Sequence, residues 1–291
     1  MQTMYSIVIP AYNEEQSIKE VLEHLKKIIA REEKSFEIIV VNDGSTDGTA
    51  QVLEAIEGII LIKNPYNLGY GTSLLKGIKQ AKGEYIVITD SDGTYPIDVI
   101  PQLCDYSKEY EMVVGSRSGE NVPLLRKPAK WILTKLAEFL TARKIPDLNS
   151  GLRLFKKEIV IKYESLFPKR FSFTTTLTII CLLHNHPVKF LPIKYFKRKG
   201  KSSIRPVHDF LAFIQLIFRI IIYFNPLRFF IIPGLLSIVA GVVIGLLQAY
   251  MSIIVMKSTP QVGDIPVLLI VTGLQIVFFG IIADLIVKSR K

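Results

Sequence analysis

The sequence predicts an α/β domain with a doubly wound, mainly parallel sheet, followed by a C-terminal part that associates with a membrane. Short apolar runs without polar alternation recur in the first half of the chain, as in strands that are buried on both faces. Segments with helical periodicity separate these runs, which is the pattern of strands joined by crossover helices. Two long apolar runs near the C-terminus are of the length that membrane spans require.

The predicted elements alternate from the N-terminus. Strands are predicted at residues 5–9, 36–41, 58–62, 84–89 and 111–115, and helices at 17–29, 49–56, 72–81 and 98–107. A helical pattern from about residue 156 then precedes a short strand at 188–193. Open parallel sheets bind ligands at the carboxyl ends of their strands. The loops that follow the strands are therefore expected to meet at one edge and to form the site.

The composition restricts the class of protein. With 49% hydrophobic and 21% charged residues, the chain is too apolar for a disordered protein and fits a globular part with membrane segments. The net charge of +10 attracts anionic partners, and it does not choose among lipid headgroups, nucleotides and nucleic acid. Nucleic acid is the weak candidate, because the basic residues cluster beside apolar helices. Cys104 and Cys181 are too few for a disulfide framework and are expected to be reduced core thiols.

Residues 228–291 are predicted to form a transmembrane hairpin, with spans at about 229–251 and 265–287. Basic residues flank its two ends, whereas the connecting loop holds only Lys257; the flanking residues are Arg228, Lys288, Arg290 and Lys291. The positive-inside rule therefore places both termini and the attached domain in the cytoplasm. Asp284 is expected to pair with Lys288 at the inner interface of the membrane.

Two further features of the C-terminal part carry expectations. Residues 208–224 are apolar almost all round but contain charged positions, so the segment 207–227 is predicted to be an amphipathic helix at the membrane interface. The alternative is a buried core helix. In the first span, Gly234, Gly241 and Gly245 include a G-x-x-x-G pair, which suggests a homo-oligomer.

The stretch VITDSDGTYP, residues 87–96, places Asp90 and Asp92 directly after a buried strand. Carboxylate oxygens in this position suit Mg²⁺ or Mn²⁺, which bind one or two carboxylates together with substrate phosphates. A cation there would neutralise charge on a leaving nucleotide. The alternative is a simple turn, since Asp and Gly are common in turns.

Two more acids follow neighbouring strands. Glu14 lies in PAYNEE after the first strand, and Asp43 lies in NDGSTDG after the second. Carboxylates in these places can accept hydrogen bonds from ribose hydroxyls or from a base N–H group. The alternative for NDGSTDG is a turn with a helix cap, for which Thr46 or Asp47 would serve, and the two roles are compatible.

Taken together, these motifs resemble a known family. PAYNEE, NDGSTDGT, DSDGTYP, GSR at 115–117 and DLNSGLRLF at 147–155 are similar to motifs of the inverting nucleotide-sugar glycosyltransferases of family 2, which have the GT-A fold. The resemblance covers about residues 4–206. Within the family, the hairpin and the RKGKSS loop look most like the polyprenyl-phosphate sugar synthases, such as dolichyl-phosphate mannose synthase and the bactoprenyl-phosphate glucosyltransferases.

The resemblance implies roles for individual residues. The nucleoside would contact Pro10, Tyr12, Glu14 and Asp43. Asp90 and Asp92 would hold the metal and the diphosphate of the nucleotide, and Thr94 stands where the family often has a Gln as a further ligand. Arg117 and Arg126 would bind the acceptor phosphate. Arg198 and Ser202 of the RKGKSS loop would cover the donor and acceptor phosphates.

The chemistry of such a reaction fits these residues. A lipid phosphate is already ionised at neutral pH, so it can attack the anomeric carbon without a general base. The protein must instead offset the repulsion between two anions, which Arg guanidinium groups and a divalent cation can do. Asp147 would then orient groups near the sugar, with a helix or turn cap as the alternative. The basic loop 197–206 would also suit binding of anionic lipid.

The predicted function is inverting, metal-dependent transfer of one sugar from a donor of the GDP-mannose or UDP-glucose type to polyprenyl or dolichyl phosphate. The predicted domains are a cytoplasmic transferase domain (1–206), the interfacial helix (207–227) and the hairpin (228–291). The alternatives are a membrane-anchored nucleotide-binding scaffold without turnover, and a transferase with a different lipid or glycan acceptor. A processive polysaccharide synthase is disfavoured, because the only Trp, Trp131, lies outside a Q-x-x-R-W motif and two spans make a poor channel.

Overall fold

The computed structural model describes residues 4–117, 127–168, 172–196, 226–254, 259 and 262–289. The chain divides into two compact units, residues 1–216 and 217–291, which are treated separately below. The segment 208–224, for which an interfacial helix is predicted, lies outside the described residues. The division into three domains stays a prediction.

The N-terminal unit is built on a seven-stranded sheet in the order β3-β2-β1-β4-β6-β5-β7. The strands are β1 (Met4–Ala11), β2 (Ser35–Asn42), β3 (Ile60–Lys63), β4 (Tyr85–Ile88), β5 (Met112–Arg117), β6 (Arg153–Lys156) and β7 (Val188–Ile193). All neighbouring pairs are parallel except those of β6, which runs antiparallel to β4 and to β5. The mainly parallel α/β sheet predicted from the sequence is confirmed.

The antiparallel strand β6 brings the segment before it to the edge where the site is expected. Arg153, the first residue of β6, pairs with Ile88 near the end of β4 and with Val114 in β5. Because β6 runs in the opposite direction, its N-terminal end lies beside the carboxyl ends of its neighbours. The loop 147–152 therefore joins the loops that leave β4 and β5.

Helices cover the sheet. They are α1 (Ile18–Ile29), α2 (Thr49–Glu54), α3 (Tyr70–Gln80), α4 (Ile100–Asp105), α5 (Lys127–Thr141), α6 (Lys157–Lys162) and α7 (Phe173–Leu183). In α1 the buried residues Ile18, Val21, Leu22 and Leu25 follow helical spacing and pack in the core with the inner residues of β1. Each such side chain contributes about 1.5–3 kcal/mol by leaving water.

Both cysteines are buried free thiols, as expected. Cys104 lies in α4 and Cys181 in α7, a helix of which all but the last residue is buried. Burial raises the pKa of each thiol to about 12.

The C-terminal unit contains two long helices, α8 (Pro226–Ile254) and α9 (Asp264–Ser289). Their apolar parts, Phe229–Ile254 and Asp264–Lys288, have mean hydropathies of 2.6 and 2.5 and are long enough to cross a membrane. Lys288 Nζ lies 2.8 Å from Asp284 Oδ2, which confirms the predicted ion pair.

The glycines of the first span lie where the two helices of the hairpin touch. A methyl group on Gly234 would lie 3.0 Å from the carbonyl oxygen of Gly273, and one on Gly241 would lie 2.8 Å from that of Pro266. Small residues at these positions let the helix backbones approach closely. The G-x-x-x-G face is therefore used within the chain and gives the predicted homo-oligomer no support.

Candidate active site

The turn after β4 is fixed to the neighbouring elements by hydrogen bonds from serines. Ser91 Oγ donates to the carbonyl oxygen of Pro10 at 3.0 Å, and Ser17 Oγ donates to the carbonyl oxygen of Ser91 at 3.0 Å. Gly93 has a φ of 70°, a conformation that glycine adopts without strain. These contacts hold the D-x-D turn, residues 90–94, against the end of β1 and the start of α1.

Asp92 is buried in this turn and is oriented by Thr94. Its Oδ1 accepts hydrogen bonds from the backbone N–H of Thr94 at 3.1 Å and from the Thr94 hydroxyl at 2.6 Å. Thr94 is itself fully buried. The metal role expected for Thr94 stays a prediction, and the contact favours a different one, in which the hydroxyl orients the Asp92 carboxylate.

Asp90 contacts a second loop of the site. Its Oδ1 accepts a hydrogen bond from the Tyr70 hydroxyl at 3.0 Å. A methyl group on Gly151 would lie 2.7 Å from Asp90 Oδ2, so the carboxylate can pack here only against glycine. Burial and the Asp90 charge hold the pKa of Tyr70 well above its usual value, and the phenol therefore stays protonated and able to donate.

Arg117 and Asp147 form a buried ion pair. Arg117 Nε and Nη2 donate to Asp147 Oδ2 and Oδ1 at 2.7 and 2.9 Å, and the Arg117 backbone N–H also donates to Oδ2 at 3.1 Å. The side chains are 13% and 2% exposed. A guanidinium has five N–H donors, and this pairing uses those on Nε and Nη2. Asp147 Oδ1 also accepts from the backbone N–H of Asn149 at 3.2 Å, so Asp147 caps a turn as well.

Tyr95 connects the D-x-D turn to the loop that contains Asp147. Its hydroxyl accepts a hydrogen bond from the backbone N–H of Gly151 at 2.7 Å. Gly151 is also the residue that contacts Asp90. The structure therefore brings the acidic turn together with the loop that contains Asp147. The sequence predicted this edge for the loops that leave β4 and β5, but not for the loop before β6.

Asp43 is engaged by the loop that follows β3. Its carboxylate accepts hydrogen bonds from Asn64 Nδ2 at 2.8 Å and from the backbone N–H groups of Leu68 and Gly69, both at 2.9 Å. Asp43 thereby holds the start of α3 in place. This role was not anticipated from the sequence, and the expected contact with the nucleoside stays a prediction.

The other residues expected to contact the nucleoside lie at the end of β1. Pro10 and Glu14 are buried, whereas Tyr12 is partly exposed. Glu14 Oε2 lies 3.1 Å from Ser17 Oγ and shares the single O–H of that residue with the carbonyl oxygen of Ser91. The backbone N–H of Glu14 donates to Thr49 Oγ1 at 2.9 Å.

The first two loops are joined to each other. The backbone N–H of Thr46 donates to Asn13 Oδ1 at 2.8 Å. Asp47 Oδ1 accepts from the backbone N–H of Thr49, the first residue of α2, at 3.0 Å. The N-cap position itself is Gly48, so neither Thr46 nor Asp47 occupies it. Burial acts to raise the pKa of Asp47, but hydrogen bonds from Thr49 outweigh it and the pKa is lowered.

Comparison with known proteins identifies the family. Residues 6–164 match the model described as Glycosyl transferase family 2. The chain belongs to this family. The predicted family membership is confirmed.

Similar proteins span most of this glycosyltransferase. Glycosyltransferase AglJ of Haloferax volcanii is 25% identical, over 98% of this chain and 94% of AglJ. Undecaprenyl-phosphate 4-deoxy-4-formamido-L-arabinose transferase of Proteus mirabilis is 25% identical, over 97% and 87%. Dolichyl-phosphate hexose transferase of Haloferax volcanii is 26% identical, over 69% and 86%.

Solved structures show the same fold. Glucosyl-3-phosphoglycerate synthase from Mycobacterium tuberculosis, in complex with Mn²⁺, UDP-glucose and phosphoglyceric acid, has a TM-score of 0.60 at 20% identity and covers 75% of this chain and 79% of its own. Staphylococcus aureus TarS with UDP-GlcNAc has a TM-score of 0.55 at 21% identity, over 76% and 67%. The GT-A fold predicted for the glycosyltransferase is confirmed.

The donor set of the glycosyltransferase fits a hard divalent cation. Asp90 and Asp92 offer carboxylate oxygens, which Mg²⁺ and Mn²⁺ prefer. Within the described residues, no group of three or more His, Cys, Asp or Glu side chains is placed to hold a metal. A cation here would therefore take its remaining ligands from substrate phosphates and water, as Mg²⁺ does in nucleotide sites.

Sequence reasoning missed Arg153, the largest fully buried side chain of the described residues. Its Nε and Nη2 donate to the carbonyl oxygen of Ser150, and its Nη1 donates to the carbonyl oxygen of Thr174 and to Thr178 Oγ1. Burial lowers the pKa of Arg153 to about 10. The signal was a charged residue inside the apolar run SGLRLF. Arg153 anchors the loop before β6 to α7.

Three residues of the expected phosphate site of the glycosyltransferase, Arg126, Arg198 and Ser202, lie outside the described residues. Their roles stay predictions.

Proposed function

We propose that this glycosyltransferase moves one sugar from a nucleotide-sugar to a polyprenyl or dolichyl phosphate, with inversion and with bound Mg²⁺ or Mn²⁺. The main support for the proposal is the close approach of the Asp90 carboxylate to Gly151. This contact places the acidic turn beside the loop whose Asp147 pairs with Arg117. An anionic donor and an anionic acceptor need this combination of cation ligands and arginine. Two relatives named for undecaprenyl-phosphate and dolichyl-phosphate transfer, and two apolar helices, support a lipid acceptor.

On the donor side, Asp90 and Asp92 would hold the cation and with it the diphosphate. The cation, when bound, would neutralise the charge that develops on the departing nucleoside diphosphate. The nucleoside would be lined by Pro10, Tyr12, Glu14 and Asp43, since these residues lie at or just after the carboxyl ends of β1 and β2. Solved relatives contain UDP or UDP-sugars with Mn²⁺, which supports a donor of the UDP-glucose type, with GDP-mannose as the alternative.

On the acceptor side, Arg117 would bind the lipid phosphate through its guanidinium group, which Asp147 holds at the same edge of the sheet as the acidic turn. Arg126, Arg198 and Ser202 would add further contacts to the phosphates. An ionised phosphate needs no general base, and the bidentate pairing gives Asp147 a different task. Asp147 holds the guanidinium in one orientation and balances its charge.

We also propose that both termini and the transferase domain face the cytoplasm. The support is that the two ends of the hairpin contain more Arg and Lys residues than the loop between its helices. The test is labelling of a Thr259→Cys variant with a membrane-impermeant maleimide in intact cells. Labelling from outside is expected, and labelling only after the membrane is opened would contradict this orientation.

The activity is tested with the purified full-length chain in detergent. It is incubated with radiolabelled UDP- or GDP-sugars, Mg²⁺ or Mn²⁺, and polyprenyl phosphate, and the lipid is extracted. We expect labelled lipid, its loss with a chelator, and a loss of at least roughly 100-fold in Asp92→Ala, as expected for a group that binds the transition state. Asp98→Ala is the matched control, because Asp98 is an exposed acid just beyond the same turn.

Three outcomes separate the alternatives. Nucleotide binding without product from any donor and acceptor would overturn the proposal in favour of a scaffold. Label in a water-soluble product, or in a lipid other than the polyprenyl phosphate, would indicate a different acceptor. A polymer of many sugars would indicate a processive synthase.

A further inference from the structure

The segment that follows β7 places an aromatic residue beside the Arg117–Asp147 pair. Arg117, at the end of β5, is in register with Ile193, the last residue of β7. Tyr195 follows two residues later, and its ring centroid lies 5.2 Å from Arg117 Cζ. This distance is within the range of a cation–π contact.

The position of Tyr195 is fixed from two other sides. Its ring meets that of Tyr95 edge-on, with 5.2 Å between centroids and 70° between the planes. The backbone N–H of the next residue, Phe196, donates to the carbonyl oxygen of Thr94 at 2.9 Å. Phe196 also lines a pocket together with Asp92 and Tyr95. The chain after β7 is therefore tied to the D-x-D turn while Tyr195 contacts Arg117.

We propose that Tyr195 is a positioning residue for Arg117. Asp147 holds the guanidinium through two N–H groups in the plane of the group. The Tyr195 ring, with its centroid 5.2 Å from Arg117 Cζ, contacts the same guanidinium from outside this carboxylate pair and restricts its orientation further.

The proposal rests on the proposed function, in which Arg117 binds the acceptor phosphate. The effect of Tyr195 is then specific to the acceptor, because Tyr195 acts through Arg117 and not through the residues of the nucleoside side. The effect on the acceptor depends on the aromatic ring of Tyr195 and not on its hydroxyl group. Among the described residues, no hydrogen bond is formed by the Tyr195 hydroxyl, and the residue is 40% exposed.

The experiment compares Tyr195→Leu and Tyr195→Gln, which lack the ring, with Tyr195→Phe, which keeps it. The full-length variants are assayed in detergent for KM of polyprenyl phosphate, KM of the nucleotide-sugar, kcat and Tm. Without the ring, the acceptor KM is expected to rise roughly tenfold, the size of a partly desolvated cation–π contact, with the donor KM within about twofold of the parent. Tyr195→Phe is expected to restore the acceptor KM of the parent chain.

Tyr106→Leu is the matched control. This substitution also removes a cation–π contact, since Lys189 Nζ lies 4.1 Å from the centroid of the Tyr106 ring. Lys189 precedes Ile193 by four residues on β7, toward the opposite edge of the sheet from Arg117. The acceptor KM of this variant is expected to equal that of the parent chain.

The outcomes are distinguishable. No labelled lipid from the parent chain would end the proposed function and this inference with it. An active parent, with an acceptor KM that is unchanged in Tyr195→Leu and Tyr195→Gln, would overturn the inference alone. An equal rise of both KM values, or a lowered Tm and kcat in Tyr195→Phe as well, would show a merely structural role and would also overturn it.

Discussion

Arg117 donates from Nε and Nη2 to both carboxylate oxygens of Asp147, at 2.7 and 2.9 Å. The two residues are 30 positions apart, with Arg117 at the end of β5 and Asp147 in the loop before β6, and both side chains are largely removed from solvent. A bidentate pair of this kind fixes direction as well as charge. Because both side chains are largely buried, a change at either one removes a charge-assisted contact where little water can replace it.

We expect Asp147→Asn to destabilise the chain strongly. Removal of one partner of a buried ion pair costs about 3–5 kcal/mol. For a domain of this size, that corresponds to a decrease in Tm of roughly 6–20 °C, measured by thermal unfolding in detergent. Lys135→Ala is the control, since Lys135 pairs with Glu138 at 2.8 Å on the surface. Exposed pairs contribute at most about 1 kcal/mol. Equal Tm values for the two variants would contradict a stabilising role of the buried pair.

We expect Thr94→Val to weaken the metal site without destroying it. The substitution keeps the shape of the side chain but removes the hydroxyl that donates to Asp92 Oδ1. Loss of a group that orients a metal ligand reduces metal affinity roughly 10- to 100-fold. The Mn²⁺ concentration for half-maximal activity should rise by that factor, while the rate at saturating Mn²⁺ recovers because Asp92 is intact.

Thr89→Val is the matched control for this experiment. Thr89 is also fully buried and directly precedes the acidic turn, but its hydroxyl has no hydrogen-bond partner in the described part of the chain. Its metal requirement should equal that of the parent, and Thr94→Ser should restore most of the affinity. A Thr94→Val rate that stays low at any Mn²⁺ concentration would argue that Thr94 is more than an orienting group.

The strands that could be predicted are those with continuous apolar runs. β1, β2 and β5 were predicted within a few residues, because uninterrupted Val and Ile runs leave few alternatives. β3 begins two residues later than predicted, because Gly58 has a φ of 70° and belongs to the preceding turn. β6 was missed. It is four residues long and begins with Arg153, whose charge breaks the apolar pattern and is balanced only by contacts with α7.

The candidate site was predicted at the level of loops and not of contacts. The sequence placed Asp90 and Asp92 at the end of a strand because both residues closely follow a recognisable apolar run. It did not predict that Asp147 pairs with Arg117, or that Asp43 holds Leu68 and Gly69. Such contacts depend on how separate loops meet in space, and no local pattern of residues encodes them.

We expect Gly151→Ala to reduce activity at least roughly tenfold, since misplacement of a catalytic group by less than an ångström has effects of this size. The added methyl group would lie 2.7 Å from Asp90 Oδ2, so the carboxylate or the loop must move. The measurement is kcat/KM for sugar transfer at saturating metal. Gly245→Ala is the control, because a methyl group there meets its nearest neighbour at 3.4 Å, an acceptable contact. Full activity of Gly151→Ala would show that the approach of Asp90 to this loop is not needed.

We expect neither native cysteine to react with thiol reagents while the chain is folded. Burial raises the pKa of Cys104 and of Cys181 to about 12. The reactive thiolate therefore makes up roughly one part in 10⁴ of each thiol at pH 8, and a rise from pH 7 to 9 leaves the thiol form dominant. Both side chains are also closed to solvent. Titration with a chromogenic disulfide should show no reactive thiol in the folded chain and two after denaturation.

Thr259→Cys provides the positive control, because residue 259 is exposed between the two helices of the hairpin. In detergent this variant should release one equivalent of chromophore at once, and the two native thiols should follow only on unfolding. Reaction of the parent chain at the rate of the Thr259→Cys variant would contradict the burial of α4 and α7. Inert native thiols would in turn mean that any label found in the topology experiment on this variant lies at position 259.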